Sequence, residues 1–305
     1  MKGKPQDWMR LGLVHPMAFP DWAVNRDRLI ETVVAVCDDP WFGLIELGRI
    51  EDAESRKAVA AICSGTNTGI LIGAQAALLA NKLDLNSADE SQRQKAVELV
   101  KSMITEAADM QASAVIVLSG PDPGEKQRAS AYQALTKSLC ELSECAEARG
   151  LSLLLETFDR LPIGKKRLTG PTGEAIEIAA KVSEKHPSFG LLLDLSHLPL
   201  LGESSESAIS LAAPFLKHVH AGNCVMQHPD HPTYGDNHPI FSIPEGENGA
   251  PELAEFIRCQ KQMGYINEEK PCTFSFEIKP FGNQTSADVI GNMKQTLASA
   301  WDMID

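Results

Sequence analysis

Eight short apolar runs, spaced so that a helix fits between each and the next, restrict this chain to very few architectures. They are LGLVH (11–15), GLIELG (43–48), GILIGA (69–74), VIVLSG (115–120), LSLLLET (151–157), FGLLLDL (189–195), LKHVHAG (216–222) and CTFSFEI (272–278). Runs such as Leu153 to Leu155 and Leu191 to Leu193 have no polar face, so they read as strands covered on both sides, as in a parallel sheet wrapped by helices. Helical spacing fills the intervals, with Leu29, Ile30, Val33, Val34 and Cys37 in 25–37, and Leu135, Leu139, Leu142 and Cys145 in 130–149. Gly150 stands where the second helix would end, and Pro251 opens another at its tolerated first turn. Eight alternations with no break in composition predict one α/β domain over residues 1–305, a (β/α)8 TIM barrel.

Four of these runs finish on or near a residue that binds metals: Glu156, Asp194, His220 and Glu277. Three carboxylates converging on one point repel by roughly 4 kcal/mol per pair at ~4 Å and an effective dielectric near 20. A divalent cation removes that cost; the competing reading is that each acid caps the following helix. An oxygen-rich set with one imidazole suits Mn²⁺ or Mg²⁺ better than a thiolate-rich zinc site, with Zn²⁺ and Co²⁺ as alternatives. Strand alternation lets the four meet in the top layer, because His220 shares parity with His218, Glu277 with Ser275, and Glu156 with Leu154. Glu46, ending the second strand, can join them as a substrate contact, and Lys279 is placed to meet a developing enolate.

Two long connections follow strands five and seven, on the face where barrel enzymes place their sites. The first reads FDRLPIGKKRLTGPT; its Lys165, Lys166 and Arg167 could hold a phosphate or carboxylate tail, but a short basic run is more often a solvated face. The second, 223–250, is rich in His, Pro and Gly and carries Asp236 and His238, which with His197 form a second set for metal or substrate. His228 and His231 of the same loop fit a solvated role as well as a functional one, and His15 reads as a satisfied barrel-end histidine.

Other classes lose their support. With 28 basic and 41 acidic residues the formal charge is −13, which repels a phosphate backbone, so nucleic acid is not an expected partner. Seven cysteines make no CxxC pair and read as small buried residues; only Cys224, directly after strand seven, could face the site. No GxGxxG follows a strand, and neither a Walker pattern nor a GxSxG elbow is present. No stretch approaches the ~18 apolar residues of a membrane span, and the first residues lack a signal-peptide pattern, so a cytoplasmic protein is expected.

The whole pattern resembles the xylose isomerase-like TIM-barrel superfamily of sugar isomerases and epimerases, inosose dehydratase-like lyases and an AP-endonuclease branch. Its metal-binding Glu, Asp, His, Glu quartet on strands five to eight is matched by Glu156, Asp194, His220 and Glu277, and Asp194 to His197 is similar to the DxxH of the epimerase branch. The resemblance implies a divalent-metal-dependent isomerase or epimerase of a small sugar or keto-sugar, working through a metal-stabilised enediolate. It also implies that Glu156 and Glu277 exchange the proton and that His197 contacts substrate. A lyase acting on a keto-cyclitol or 3-keto-glycoside would use the same site. Met226 stands where such epimerases commonly carry an arginine, six residues after the metal histidine. Asp236 and His238 are similar to a DxH of the DNA-repair branch, but LIELG, GILIGA and VIVLSG supply none of the histidines that branch needs. A non-catalytic, metal-holding barrel is a third class, and a homo-oligomer or a small partner subunit stays open.

Overall fold

The computed structural model describes residues 3–304. The eight apolar runs form eight parallel strands: β1 (Met9–Leu13), β2 (Leu44–Leu47), β3 (Gly69–Gly73), β4 (Ala114–Leu118), β5 (Ser152–Glu156), β6 (Gly190–Asp194), β7 (Leu216–Gly222) and β8 (Cys272–Glu277). They pair in the order β1-β8-β7-β6-β5-β4-β3-β2. The Gly43 amide donates to the Leu11 carbonyl at 2.8 Å, and Val14 bridges to Glu46, so β1 meets β2. This nearly closed ring with helices outside is a single (β/α)8 TIM barrel. No helix among the described residues is long and apolar enough to cross a membrane.

Gly12 makes the closing contact possible. A Cβ there would lie 2.9 Å from both Cβ and the carbonyl oxygen of Leu44, closer than side chains pack. β1 starts two residues before the expected run, and His15 instead opens the short helix His15–Ala18. The helix Arg26–Cys37 forms where spacing predicts it, with the Asn25 side chain accepting from the Arg28 amide. The helix expected over 130–149 begins earlier, as Glu125–Glu147; its first turn, Glu-Lys-Gln-Arg, is too polar to show an apolar period. Pro251 sits in the first turn of Ala250–Gln262 as expected.

Two apolar layers follow from strand alternation. Residues such as Leu153, Leu155, Leu191 and Leu193 face the helices in the large outer core. Leu44, Leu71, Ala114, Ile116, Leu154 and Leu192 form a separate cluster inside the barrel. One pleat above Leu44, Leu154 and Leu192 stand Glu46, Glu156 and Asp194, so the buried leucines fix the direction of the acids. β7 needs a further device. Its register shifts, Leu191 pairing with Leu216 but Leu192 with His218, so Lys217 is the extra residue. Leu216 therefore joins the outer core while His218 and His220 turn inward.

Candidate active site

The barrel delivers its polar side chains to the carboxyl ends of the strands, where Asp194 pairs with His220 and Gly222 with Glu277. One ligand atom from each of Glu156, Asp194, His220 and Glu277 lies within 4.8 Å of all the others. Asp194 and His220 are fully enclosed and Glu156 is 2% exposed. His220 Nδ1 is 2.8 Å from Glu277 Oε2 and 3.6 Å from Glu156 Oε1. Asp194 accepts from the Ser196 amide at 2.9 Å on one oxygen and from the Ser196 hydroxyl on the other.

The charges of this cluster are mutually dependent. Burial pushes the carboxyls of Glu156 and Asp194 above their usual range, with Glu277 adding repulsion to both. Burial opposes ionisation of Glu277 too, but His238 and His220 outweigh it and hold that carboxyl below the usual range. Burial also works against a charged His220, and Glu46 and Glu277 overcome it and hold the ring well above an ordinary histidine. Two buried carboxylates, a third at the cavity edge and one buried imidazole, all facing a common centre, are a donor set that fits a divalent cation.

The second set gathers beside the first. His238 Nε2 lies 2.8 Å from Asp236 Oδ1, and His238 Nδ1 donates to the Glu277 carbonyl at 3.1 Å. Burial disfavours charge on His238, but Asp236 and Glu277 lift its ring to about 10. His197 stands between the two sets at 1% exposure, and neither ring nitrogen has a hydrogen-bond partner. Its Nε2 is 3.8 Å from Asp194 and 3.9 Å from Glu156, while its Nδ1 is 3.8 Å from Asp159 and 3.9 Å from Asp236.

The long loops complete the enclosure. Asn223 and Asn248 pin the β7 loop at its two ends, with Asn248 Nδ2 donating to the carbonyls of Leu195 and Gly222 and Asn223 Oδ1 accepting from the Asn248 amide. Lys165 remains partly exposed, but its ammonium donates to the Asp236 carbonyl at 3.0 Å and joins the β5 loop to the β7 loop. His228 is exposed and His231 bonds within its own turn to Thr233. Cys224 is buried, and burial pushes its thiol up, so it offers no nucleophile. His15 bonds to Thr32 on the helix Arg26–Cys37.

A cavity of about 220 Å³ opens onto the cluster. Glu46, Glu156, Asp236, His238, Glu277 and Lys279 line its charged side, and Met17, Leu47, Leu79 and Phe158 its apolar side. A larger opening of about 600 Å³ lies at the amino ends of the strands, beside Ser113, Ser152 and Thr273, and contains none of these groups. Among the described residues the Lys279 ammonium has no hydrogen-bonding partner; burial, and then Lys165, depress its ionisation. Three residues were missed by sequence reasoning. Gln75 donates to Glu156 Oε2 at 2.7 Å, Asp159 faces His197, and Ser196 grips Asp194. Only Ser196, within the LDLSH string, carried a usable signal, since a hydroxyl two residues after a strand-end acid is placed to turn back on it.

A family model described as the xylose isomerase-like TIM barrel matches residues 32–286. No curated protein sequence matches the chain. Solved structures align over almost its full length. An L-ribulose 3-epimerase has 18% identity and a TM-score of 0.72, covering 97% of this chain and 96% of its own. The IolI protein with a bound zinc atom has 15% identity and a TM-score of 0.68, with 96% and 99% covered. The 3-keto-D-glucoside 4-epimerase YcjR from E. coli has 12% identity and a TM-score of 0.67, with 95% and 99% covered.

Proposed function

Because the chain belongs to the family of xylose isomerase-like TIM barrels, we propose that it is a divalent-metal-dependent isomerase or epimerase of a small sugar or keto-sugar. The observation that carries this reading is the mutual approach of Glu156, Asp194, His220 and Glu277, four ligand atoms within 4.8 Å of one another at the mouth of a cavity. These four residues would hold the metal, with Mn²⁺ favoured by the oxygen-rich set and Mg²⁺, Co²⁺ and Zn²⁺ as alternatives. The neighbours named as epimerases, and the zinc in the IolI structure, are consistent with it.

A divalent cation bound there supplies Lewis-acid polarisation of a substrate carbonyl and its adjacent hydroxyl. The rest is done by the chain. Glu156 and Glu277 act as the proton-transferring pair, one carboxylate removing the proton from the carbon beside the carbonyl and the other returning it. Gln75 holds Oε2 of Glu156 and leaves Oε1 turned to the centre it shares with His220. His197, whose buried nitrogens lack partners, takes a substrate hydroxyl, and Lys279 offers its ammonium to developing negative charge. Asp236 and His238 hold either the far end of the substrate or a second cation.

The test is incubation of ketoses in D₂O with metal-loaded protein. Deuterium at the carbon beside the carbonyl is expected, and no incorporation into any sugar overturns the reading. A lyase on a keto-cyclitol or 3-keto-glycoside is the second reading. It is favoured by the apolar wall of Met17, Leu79 and Phe158, which suits an apolar substituent better than sugar hydroxyls, and it predicts release of water or an aglycone instead.

A further inference from the structure

Glu46 comes from the far side of the barrel, on β2, yet its Oε2 lies 2.8 Å from His220 Nε2 on β7. It reaches past β1, whose Val14 bridges to it in the ring. The carboxylate is 2% exposed, and below it stands His218, whose Nδ1 is 2.8 Å from Thr273 Oγ1. The Thr273 hydroxyl spends its proton on the Lys217 carbonyl at 3.2 Å, so its oxygen accepts from His218 Nδ1. That leaves His218 Nε2 without a proton to give, and it makes no hydrogen bond, although Glu46 Oε2 is 3.4 Å away. The hydrogen bond that Oε2 accepts is therefore the one from His220 Nε2.

We infer that Glu46 is a positioning residue for His220, fixing the ring so that Nε2 carries a proton and Nδ1 faces Glu156, Asp194 and Glu277. The inference rests on the metal site proposed above and gives Glu46 a role other than substrate contact. A carboxylate behind a ligating imidazole locks its tautomer and rotation and makes the other nitrogen a better donor, and loss of such a partner typically costs roughly 10- to 100-fold in metal affinity. The same geometry explains why β2 carries a buried acid that is not one of the four converging ligands.

The experiment is calorimetric titration of chelator-stripped protein with Mn²⁺, with no sugar present. Glu46→Ala is expected to weaken the affinity roughly 10- to 100-fold. Glu46→Gln, whose amide oxygen can still accept from Nε2, is expected to recover most of it. ¹⁵N spectra of the histidine side chains should show a proton on His220 Nε2 in the wild type and in Glu46→Gln. If Glu46→Ala does not fold, the spectrum and titration of Glu46→Gln decide: loss of the Nε2 proton with unchanged affinity overturns the inference. So does Glu46→Ala binding Mn²⁺ as tightly as the wild type. A wild type that binds no divalent cation overturns the proposed function itself, which keeps the two failures apart.

Discussion

Asp194 is the most constrained of the three converging acids, because Ser196 occupies both its oxygens from behind while its face is turned to His220. Asp194→Asn keeps the shape and removes the charge, so it should weaken Mn²⁺ binding by more than about 100-fold, beyond the loss typical of an outer partner. Titration calorimetry checks this, with circular dichroism confirming the fold. A second residue-scale prediction concerns His15. Thr32 gives its hydroxyl proton to backbone carbonyls and so accepts from His15 Nε2, which leaves Nδ1 buried and unpartnered. Burial, helped by Arg28, lowers this ring from 6.5 to about 3. Between those values the unfolded chain takes up a proton that the folded chain refuses, so stability falls as pH drops through the window. The contribution reaches on the order of 4 kcal/mol at its acid end. His15→Leu should flatten that part of the urea stability profile relative to the wild type; parallel profiles would contradict the account.

At the scale of elements, the strands were readable because burial on both faces leaves an unbroken apolar run, a pattern that survives without knowledge of neighbours. Helix starts were less readable, as the polar first turn of Glu125–Glu147 shows. The extra residue at Lys217 could not be read at all. A register shift depends on the partner strand, yet it is this shift that turns His218 and His220 inward. Parity within the carboxyl half of β7 was nevertheless enough to group the two histidines, because both lie on the same side of the irregularity. The junction of β1 and β2 gives the test at this scale. Gly12→Ala would force a methyl group against the Leu44 backbone, and overpacking of this kind costs typically about 1–3 kcal/mol. A lower urea midpoint is expected, with weaker Mn²⁺ binding, because Glu46 follows Leu44 on the same face of the displaced strand. Unchanged stability would show that the ring closes with more room than the structure gives it.

For the whole molecule, the barrel acts as a ring whose inward side chains share one centre, so a ligand at the mouth ties together strands far apart in sequence. The candidate site was visible in the sequence where a ligand-type residue ended a strand, or where such residues gathered in the loop after β7. Gln75 and Asp159 were not, since a glutamine at a helix start and an acid in a loop acquire meaning only when Glu156 and His197 stand beside them. Ligand linkage should make the metal a global stabiliser. At about 100 times its dissociation constant a cation adds roughly 2.7 kcal/mol, worth about 4 °C in Tm for a domain of this size. Chelator should remove that increment from the wild type and leave Asp194→Asn unmoved, as read by scanning calorimetry. The most direct measurement is anomalous diffraction from crystals grown with Mn²⁺. The account predicts one strong peak at coordination distance from Glu156, Asp194, His220 and Glu277 together, and a peak placed elsewhere, or none at those four side chains, would contradict it.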